Sequence, residues 1–419
     1  MSTSAENQLS AEPVEFEKKL EGAELSDDKD AGVPSRHSST AASSLKEKAP
    51  WKTPFVDPVP SAKPAVRSEL NANQQEKYET VLKTVQSWTE IPSTKGKTGP
   101  ITDDEIMWLT RECLLRYLRA TKWSTAEASK RILGTLTWRR DYGVDGFTAD
   151  YISPENETGK QVILGYDIAA RPCLYLNPGK QNTDPSPRQV QHLVFMLERV
   201  IDIAPSGQEQ LALLINFKSN KSRKNTSPPL SQGKEVLNIL QTHYPERLGR
   251  ACIINIPWLV SGFFKLITPF IDPLTRQKLV FNEDLRAHVP PEQLSTELGG
   301  DVNFVYDHGV YWPALNELCQ ARRKERRTRW EKAGKRYAES EVYLKGGNPL
   351  PEGAAIPQQV AVQDTDPVLS TSPPEAAELS SAPQAQEPTP TRTSGTQANG
   401  NLDVAAVNED PKLTTEGDR

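Results

Sequence analysis

The sequence contains only four cysteines, and no two of them lie close together. Cys113, Cys173, Cys252 and Cys319 form no CxxC pair, so the chain offers neither a cysteine-based zinc site nor a disulfide framework. Three of the four stand among apolar residues, as small buried hydrophobic side chains do. We therefore expect reduced cysteines and a cytoplasmic location.

Long apolar runs are missing as well. No run reaches the roughly 18 apolar residues that a membrane-spanning helix needs, so we expect none. The first residues, MSTSAENQLSAEPVEFEKKL, have neither a basic region nor an apolar region, and we expect no signal peptide.

Catalytic motifs are equally scarce. The chain has no GxSxG sequence, and in TKGKTG (residues 94–99) Ile91 stands where a phosphate-binding loop needs its first glycine. None of the five histidines is spaced as a metal pair, and His243 has no nucleophile arranged beside it in sequence. These absences favour a non-catalytic protein without a metal.

The two ends of the chain are poor in apolar residues and rich in Ser, Glu, Ala and Pro. Residues 1–68 and 346–419 cannot bury enough apolar surface to offset the entropy cost of ordering them, so we predict disorder there. The net charge of −5 is uneven, because both ends are acidic and the middle is basic. A basic body favours anionic surfaces or ligands. It contains no nucleic-acid recognition module, and we expect no such partner.

Three amphipathic helices are predicted in residues 69–145. The first covers 71–90, and the capping boxes Thr102–Glu105 and Ser124–Glu127 begin the other two. The segment IMWLTRECLLRYLRA after the first capping box is predicted as one continuous helix. Gly143 ends the third helix.

The pattern then changes to short apolar segments separated by helices. The predicted strands are residues 161–166, 173–176, 211–215, 251–256 and 278–282. The predicted helices are residues 188–203 and 231–243. Apolar strands that do not alternate, joined through helices, indicate an α/β domain with a mainly parallel sheet covered on both faces.

Residues 257–272, PWLVSGFFKLITPFID, are apolar around most of a helix; the polar exceptions are Ser261, Lys265 and Thr268. Such a helix is buried or meets lipid, and this one is too short to cross a bilayer. Two interpretations remain open: a core helix, or a surface that alternates between a closed cavity and a membrane. Its dense aromatic residues favour the second; they are Trp258, Phe263, Phe264 and Phe270.

Three longer segments resemble the CRAL-TRIO lipid-binding family. They are LLRYLRATKWSTAEASKRILGTLTWRRDYGV (114–144), HYPERLGRACIINIPWLVSGFFKLITPFIDPLTRQKLVF (243–281) and VPPEQLSTELGGD (289–301). Within the family, LALLINFK, GKEVLNILQTHYPERLG and HGVYWPAL resemble the fungal phosphatidylinositol transfer proteins of the pleiotropic drug-resistance branch. The resemblance covers about residues 70–315.

The resemblance implies an architecture. A helical N-terminal lobe (69–145) would precede a lipid-binding domain (146–315), whose mixed sheet and helices enclose an apolar lipid cavity. A basic helix (316–345) would follow. The helix at 257–271 would be the gate of the cavity, with Gly249 and Gly262 as its flexible points.

The resemblance also implies a phosphatidylinositol site. Glu246 would accept hydrogen bonds from inositol hydroxyls, Thr275 and Lys278 would contact the phosphodiester, and Lys122 would lie nearby. A carboxylate for hydroxyls and cations for phosphate suit this headgroup. The implied gate and membrane contacts are Trp258, Phe263, Phe264, Lys265 and Phe270.

Other interpretations of these residues remain open. Glu246 and Arg247 could form a structural ion pair, Lys278 could be a solvated edge residue, and Lys122 could end a helix favourably. The basic run 321–336 is interpreted as a solvated helix, with contact to an anionic membrane as the alternative.

Two departures from the family pattern affect the ligand. Thr121 replaces an arginine before Lys122, which removes one phosphate contact. The strand near 211–217 lacks the serine and threonine residues that hold phosphatidylcholine in relatives, so a second ligand would be apolar, such as a sterol.

The expected function is non-catalytic phosphatidylinositol transfer between membranes, supporting lipid homeostasis and azole tolerance. The expected protein is a monomer that contacts endoplasmic reticulum, plasma membrane or lipid droplets peripherally. The alternatives are a lipid-sensing interaction module and a carrier of a sterol-like ligand.

Overall fold

The computed structural model describes residues 49–218, 230–256 and 276–347. The predicted gate helix, Thr275 and most of both predicted tails lie outside the described residues. Within the described part, no helix is both long and apolar enough to cross a membrane. All four cysteines are described, buried and free, as predicted.

A helical lobe opens the fold, with a small hairpin between its first two helices. Its elements are α1 (Ala72–Gln86), β1 (Glu90–Ile91), β2 (Gly99–Pro100), α2 (Asp103–Trp108), α3 (Arg111–Ala120) and α4 (Thr125–Tyr142). The inner faces of the helices share one apolar core, in which Val81, Leu114 and Ile132 are fully buried. The amphipathic patterns identify these buried faces because burying the apolar side chains stabilises the helices.

The predicted second helix is broken in two at Leu109–Thr110. Thr102 and Glu105 do form the predicted capping box, but α2 ends at Trp108. Thr110 then caps α3 by accepting from the Cys113 N–H, while its hydroxyl donates to Glu341 at 2.7 Å. The prediction of one continuous helix was wrong. The contact that accompanies the break is made with Glu341, which lies far away in sequence and leaves no local signal.

The second part of the fold is an α/β layer. Its elements are α5 (Ala149–Asn156), β3 (Gln161–Tyr166), β4 (Pro172–Leu176), α6 (Pro187–Ile203), β5 (Leu211–Asn216), α7 (Leu230–His243), β6 (Leu248–Ile254), β7 (Leu279–Phe281), α8 (His308–Lys332) and α9 (Glu341–Leu344). The sheet order is β3-β4-β5-β6-β7. Strands β3 and β4 are antiparallel and the other pairs are parallel, so the sheet is mixed and mainly parallel, as predicted.

Residues 49–67 form an extended segment, the N-terminal strap, within the predicted disordered tail. The Trp51 N–H donates to the Asn303 carbonyl at 2.8 Å, and Trp51 accepts from the Val305 N–H. Trp51 also stacks on Phe55 with ring centroids 4.7 Å apart. The structure therefore departs from the predicted boundary at residue 68.

Removing the Tyr166 hydroxyl should loosen the strap. This hydroxyl is buried and donates to the Val56 carbonyl at 3.0 Å. We expect Tyr166→Phe to lower the free energy of unfolding by about 1 kcal/mol, because the hydrogen bond between β3 and the strap is lost. Urea unfolding would measure the change. Tyr151→Phe is the matched control, since Tyr151 is 47% exposed; an equal loss in both variants would contradict the prediction.

The basic helix begins earlier than predicted and its arginines are engaged. It starts at His308 and ends at Lys332 as α8. Arg323 bonds buried Asp202 at 2.6 Å, and Arg327 bonds Asp104 at 2.8 Å. Most side chains of the run 321–336 remain exposed, as expected for a solvated helix, and these two ion pairs also connect α8 to the rest of the fold.

Candidate functional site

Glu246 lies in the turn between α7 and β6, in a left-handed backbone conformation with φ of 61°. Non-glycine residues rarely adopt this conformation, which costs on the order of 1–2 kcal/mol. The turn is held by the hydrogen bond from the Arg247 N–H to the Tyr244 carbonyl. The Glu246 side chain is 30% exposed and is therefore accessible to a ligand.

The partner of Glu246 is Arg119, near the end of α3. The Arg119 Nε lies 3.6 Å from a Glu246 oxygen, which is an ion pair rather than a hydrogen bond. This Nε is buried and has no hydrogen-bond partner among the described residues. Arg247 instead donates to the Glu209 carbonyl at 2.9 Å, so the alternative of a Glu246–Arg247 pair is not formed.

Glu209 connects this pair to the strap. It accepts from Arg116 at 2.9 Å and from Arg119 at 3.1 Å, and it pairs with Arg67 of the strap at 3.2 Å. Burial alone raises the pKa of Glu209, but the three guanidiniums outweigh it and the net shift is downward. Glu209 is therefore a carboxylate that fixes Arg119.

Two further predicted headgroup residues, Lys122 and Lys278, are described. Lys122 is exposed three residues beyond Arg119, in a positive-φ turn that closes α3. Lys278 is half-buried immediately before β7, just as Glu246 precedes β6. Because β6 and β7 are parallel neighbours, both residues lie at the amino ends of their strands.

One face of the sheet is apolar across four strands. Residues paired between neighbouring strands point to the same face, and two rows of pairs cross the sheet. The rows are Leu174–Leu213–Ala251–Leu279 and Leu176–Ile215–Ile253–Phe281. Several of these side chains are incompletely buried, and Phe281 is 40% exposed. This apolar sheet face is long enough to contact hydrocarbon.

Gly249 does not fit the predicted role of a flexible point. It lies inside β6, and a Cβ there would meet the Arg171 side chain at 2.3 Å. A Cβ here would displace the end of the Arg171 side chain, which pairs with Asp167 at 3.0 Å. Gly262 lies outside the described residues.

His243 is neutral at physiological pH. Burial, together with the positive charges of Arg131 and Arg139, lowers its pKa to about 4. The imidazole stacks on Trp138 with centroids 4.1 Å apart, and its Nδ1 lies 3.1 Å from the Thr135 hydroxyl. These contacts give His243 a packing role.

A half-buried carboxyl group, that of Glu112, lies near the contact between the two lobes. It accepts from the Glu341 N–H at 2.7 Å. Burial, together with the neighbouring Glu341 carboxylate, raises the pKa of Glu112 to about 7. The protonated carboxyl therefore favours the folded state, and this contribution, complete below about pH 4.5, is lost as the pH rises through about 7.

Replacing Glu112 with glutamine should remove this pH dependence. We expect Glu112→Gln to be more stable than the parent at pH 8, by about 1 kcal/mol, and no more stable at pH 4.5. His243 acts in the opposite direction as the pH rises from about 4 to 6.5, so the two proteins must be compared at each pH. Urea unfolding would measure both. Exposed Glu79→Gln is the control; parallel curves for parent and Glu112→Gln would contradict the prediction.

Sequence reasoning missed Arg119 and Glu209. Arg119 lies in one of the segments that resemble the family, but the resemblance assigns it no headgroup role, and its contact with Glu209 joins residues 90 positions apart. The one available signal was the placement of Arg119 three residues before Lys122.

Comparison with known proteins agrees with this architecture. The model of the CRAL/TRIO N-terminal domain matches residues 77–134, and that of the CRAL/TRIO domain matches residues 156–300. A CRAL-TRIO domain-containing protein of Schizosaccharomyces pombe is 55% identical over 303 residues, covering 71% of this chain and 30% of that protein. The phosphatidylinositol transfer protein PDR17 of Saccharomyces cerevisiae is 42% identical over 296 residues, covering 66% of this chain and 85% of that protein. The crystal structure of Sfh5 aligns with a TM-score of 0.37 at 17% identity, covering 52% of this chain and 83% of that one.

The chain belongs to the CRAL/TRIO domain family. It spans less than a third of the Schizosaccharomyces pombe relative and most of the Saccharomyces cerevisiae one. The predicted fold class, a helical lobe followed by a mixed α/β sheet, is confirmed.

Proposed function

We propose that this protein binds phosphatidylinositol and transfers it between membranes without catalysing a reaction. The observation that carries the proposal is the pairing of an apolar sheet face with a charged edge that holds Glu246, Arg119 and Lys278. An amphiphile with two acyl chains and a polar anionic head needs both surfaces. The extensive identity to a phosphatidylinositol transfer protein supports the same ligand class.

A carrier must enclose the acyl chains while it crosses water. Each exposed methylene costs about 0.8 kcal/mol, so two chains of about sixteen carbons cost on the order of 25 kcal/mol. Such a carrier needs a cover that opens at the membrane. The segment 257–271 is our proposal for this gate, with its aromatic residues and Lys265 meeting the bilayer; it lies outside the described residues.

The headgroup would be bound at the charged edge. Glu246 would accept from inositol hydroxyls, and Lys278, Thr275 and Lys122 would neutralise or bond the phosphodiester. Arg119 would orient the Glu246 carboxylate. The protein would act as a monomer that contacts membranes peripherally from the cytoplasm, and a contribution to azole tolerance follows if membrane composition depends on it.

Lipid extraction and native mass spectrometry of the purified protein would test the ligand. We expect phosphatidylinositol in the parent and at least a tenfold loss in Glu246→Ala, Lys278→Ala, because each substitution removes a charged headgroup contact. The matched control is Glu79→Ala, Lys83→Ala, which removes the same charges from the exposed face of α1.

Vesicle-to-vesicle transfer would test the activity. A carrier should move many phosphatidylinositol molecules per protein, whereas a lipid-sensing module would retain one. Equal phosphatidylinositol content in the parent and in the headgroup variant would contradict the proposed site. A sterol in both proteins would support the sterol-carrier alternative instead.

A further inference from the structure

A cavity of about 420 Å³ lies between the two lobes, lined by parts of α2, α3, α4, α6, α8 and α9. This volume is within the range of small-molecule sites. The described headgroup residues Glu246, Lys278 and Lys122, and also Arg119, do not line it. Fourteen of its twenty lining residues are ionisable.

Positive charge is in excess around this interlobe cavity. Its lining contains eight basic and six acidic side chains. Asp202, 5% exposed, accepts from Arg326 and from Arg323 in the lining and from Arg199 beside it. Lys324 also lines the cavity and forms no ion pair with a described residue. The surplus of about two positive charges matches the charge of one phosphate monoester.

Two polar atoms in the lining lack hydrogen-bond partners among the described residues. Arg326 Nε, a donor, is buried and needs an acceptor. Glu341 Oε2, a carboxylate oxygen of a residue that is only 9% exposed, lies 3.9 Å from the Lys345 ammonium group and accepts no hydrogen bond from a described residue. Leaving such groups unpaired is costly. A ligand that satisfies both carries an anionic group and hydroxyl groups on one small molecule.

We propose that the interlobe cavity binds a soluble phosphorylated polyol, such as a sugar phosphate. Its phosphate lies among Arg326, Arg323 and Lys324, where guanidiniums offer paired donors. Its hydroxyls donate to Glu341. The cavity walls come from both lobes, so the bound ligand bridges them and stabilises the folded protein.

Isothermal titration calorimetry with glucose 6-phosphate as the probe would test this site on the full chain. We expect saturable binding at least tenfold tighter than that of glucose or of inorganic phosphate alone. Arg326→Gln and Lys324→Gln should each weaken binding at least fivefold. Arg322→Gln is the matched control. Arg322 lies on the same helix, but it pairs with Asp57 and does not line the cavity.

Several results would overturn the proposal. If the titration gives no saturable heat, the cavity holds only water. If inorganic phosphate binds with equal affinity, or if Arg322→Gln weakens binding equally, the binding reflects a general surface charge effect. Lys324 is exposed, so the Lys324→Gln variant should fold even if the Arg326→Gln variant does not. Displacement of glucose 6-phosphate by vesicles containing phosphatidylinositol 4-phosphate, but not by the soluble inositol 1,4-bisphosphate, would assign the site to a lipid headgroup.

Discussion

Replacing Gly165 with alanine should lower the free energy of unfolding by about 3–5 kcal/mol. Gly165 lies in β3 with φ of 68°, a left-handed conformation that costs an alanine about 1–2 kcal/mol. The added Cβ would also meet the Gln293 carbonyl oxygen at 2.1 Å. This contact is with backbone, so relief requires moving β3 or the turn over it, at a further cost of about 1–3 kcal/mol.

The displaced turn has its own role in the sheet. The Gln293 side chain accepts from the Tyr166 N–H at 2.9 Å, next to a register shift between β3 and β4. Shifting Gln293 away from Gly165 therefore leaves a buried N–H without an acceptor, and the two costs reinforce each other.

Urea unfolding followed by circular dichroism would measure the loss. Gly134→Ala is the matched control, because Gly134 lies within α4 with nothing within 4 Å of a new Cβ. There the same change should raise stability by about 0.5–1 kcal/mol, since alanine favours a helix. A loss below 1 kcal/mol in Gly165→Ala would contradict the expected strain.

Local signals in the sequence predicted most of the elements. The Thr102–Glu105 capping box and the glycine stop at Gly143 depend on neighbours within one turn, and both occur as expected. Strand β3 begins and ends at the predicted residues, because a short apolar run between turns identifies a buried strand.

Features set by distant contacts were not predictable. The break between α2 and α3 depends on the bond from Thr110 to Glu341, and the strap depends on Trp51 meeting the segment 303–305. Neither contact leaves a periodic pattern in the sequence, because a contact between two residues far apart in the chain produces no repeat. The strap was therefore indistinguishable from a tail.

The candidate site shows the same division. Residue identities such as Glu246 and Lys278 came from motifs, and their common edge follows from parallel neighbouring strands. The positive φ of Glu246 and its pairing with Arg119 required the folded chain. Sequence therefore identifies candidate chemistry here, while the tertiary contacts determine its orientation.

Arg116 joins the two lobes at a single buried position. Its side chain is 4% exposed, donating to Glu209 at 2.9 Å and to Glu341 at 2.7 Å. Its removal leaves two carboxylates facing each other near Glu112 without their shared cation. We expect Arg116→Met to lower the free energy of unfolding by about 3–5 kcal/mol at pH 7.5, the cost of an uncompensated buried charge.

The loss should depend on pH in a defined direction. Burial tends to raise the pKa of Glu341, but Arg116 and its other cationic neighbours hold the pKa well below the ordinary value. Without Arg116 the folded-state pKa of Glu341 rises, so the variant gains stability relative to the parent as the pH falls. The difference between the two proteins should therefore shrink from pH 7.5 to pH 5.

Urea unfolding at the two pH values would measure this difference. Arg286→Met is the matched control, because Arg286 and Asp284 form an exposed pair; it should match the parent, since solvent screens such pairs. A pH-independent loss in Arg116→Met would indicate lost packing alone. If the difference instead shrinks on acidification, the buried carboxylates are what make Arg116 necessary, and the contact between the lobes depends on charge balance.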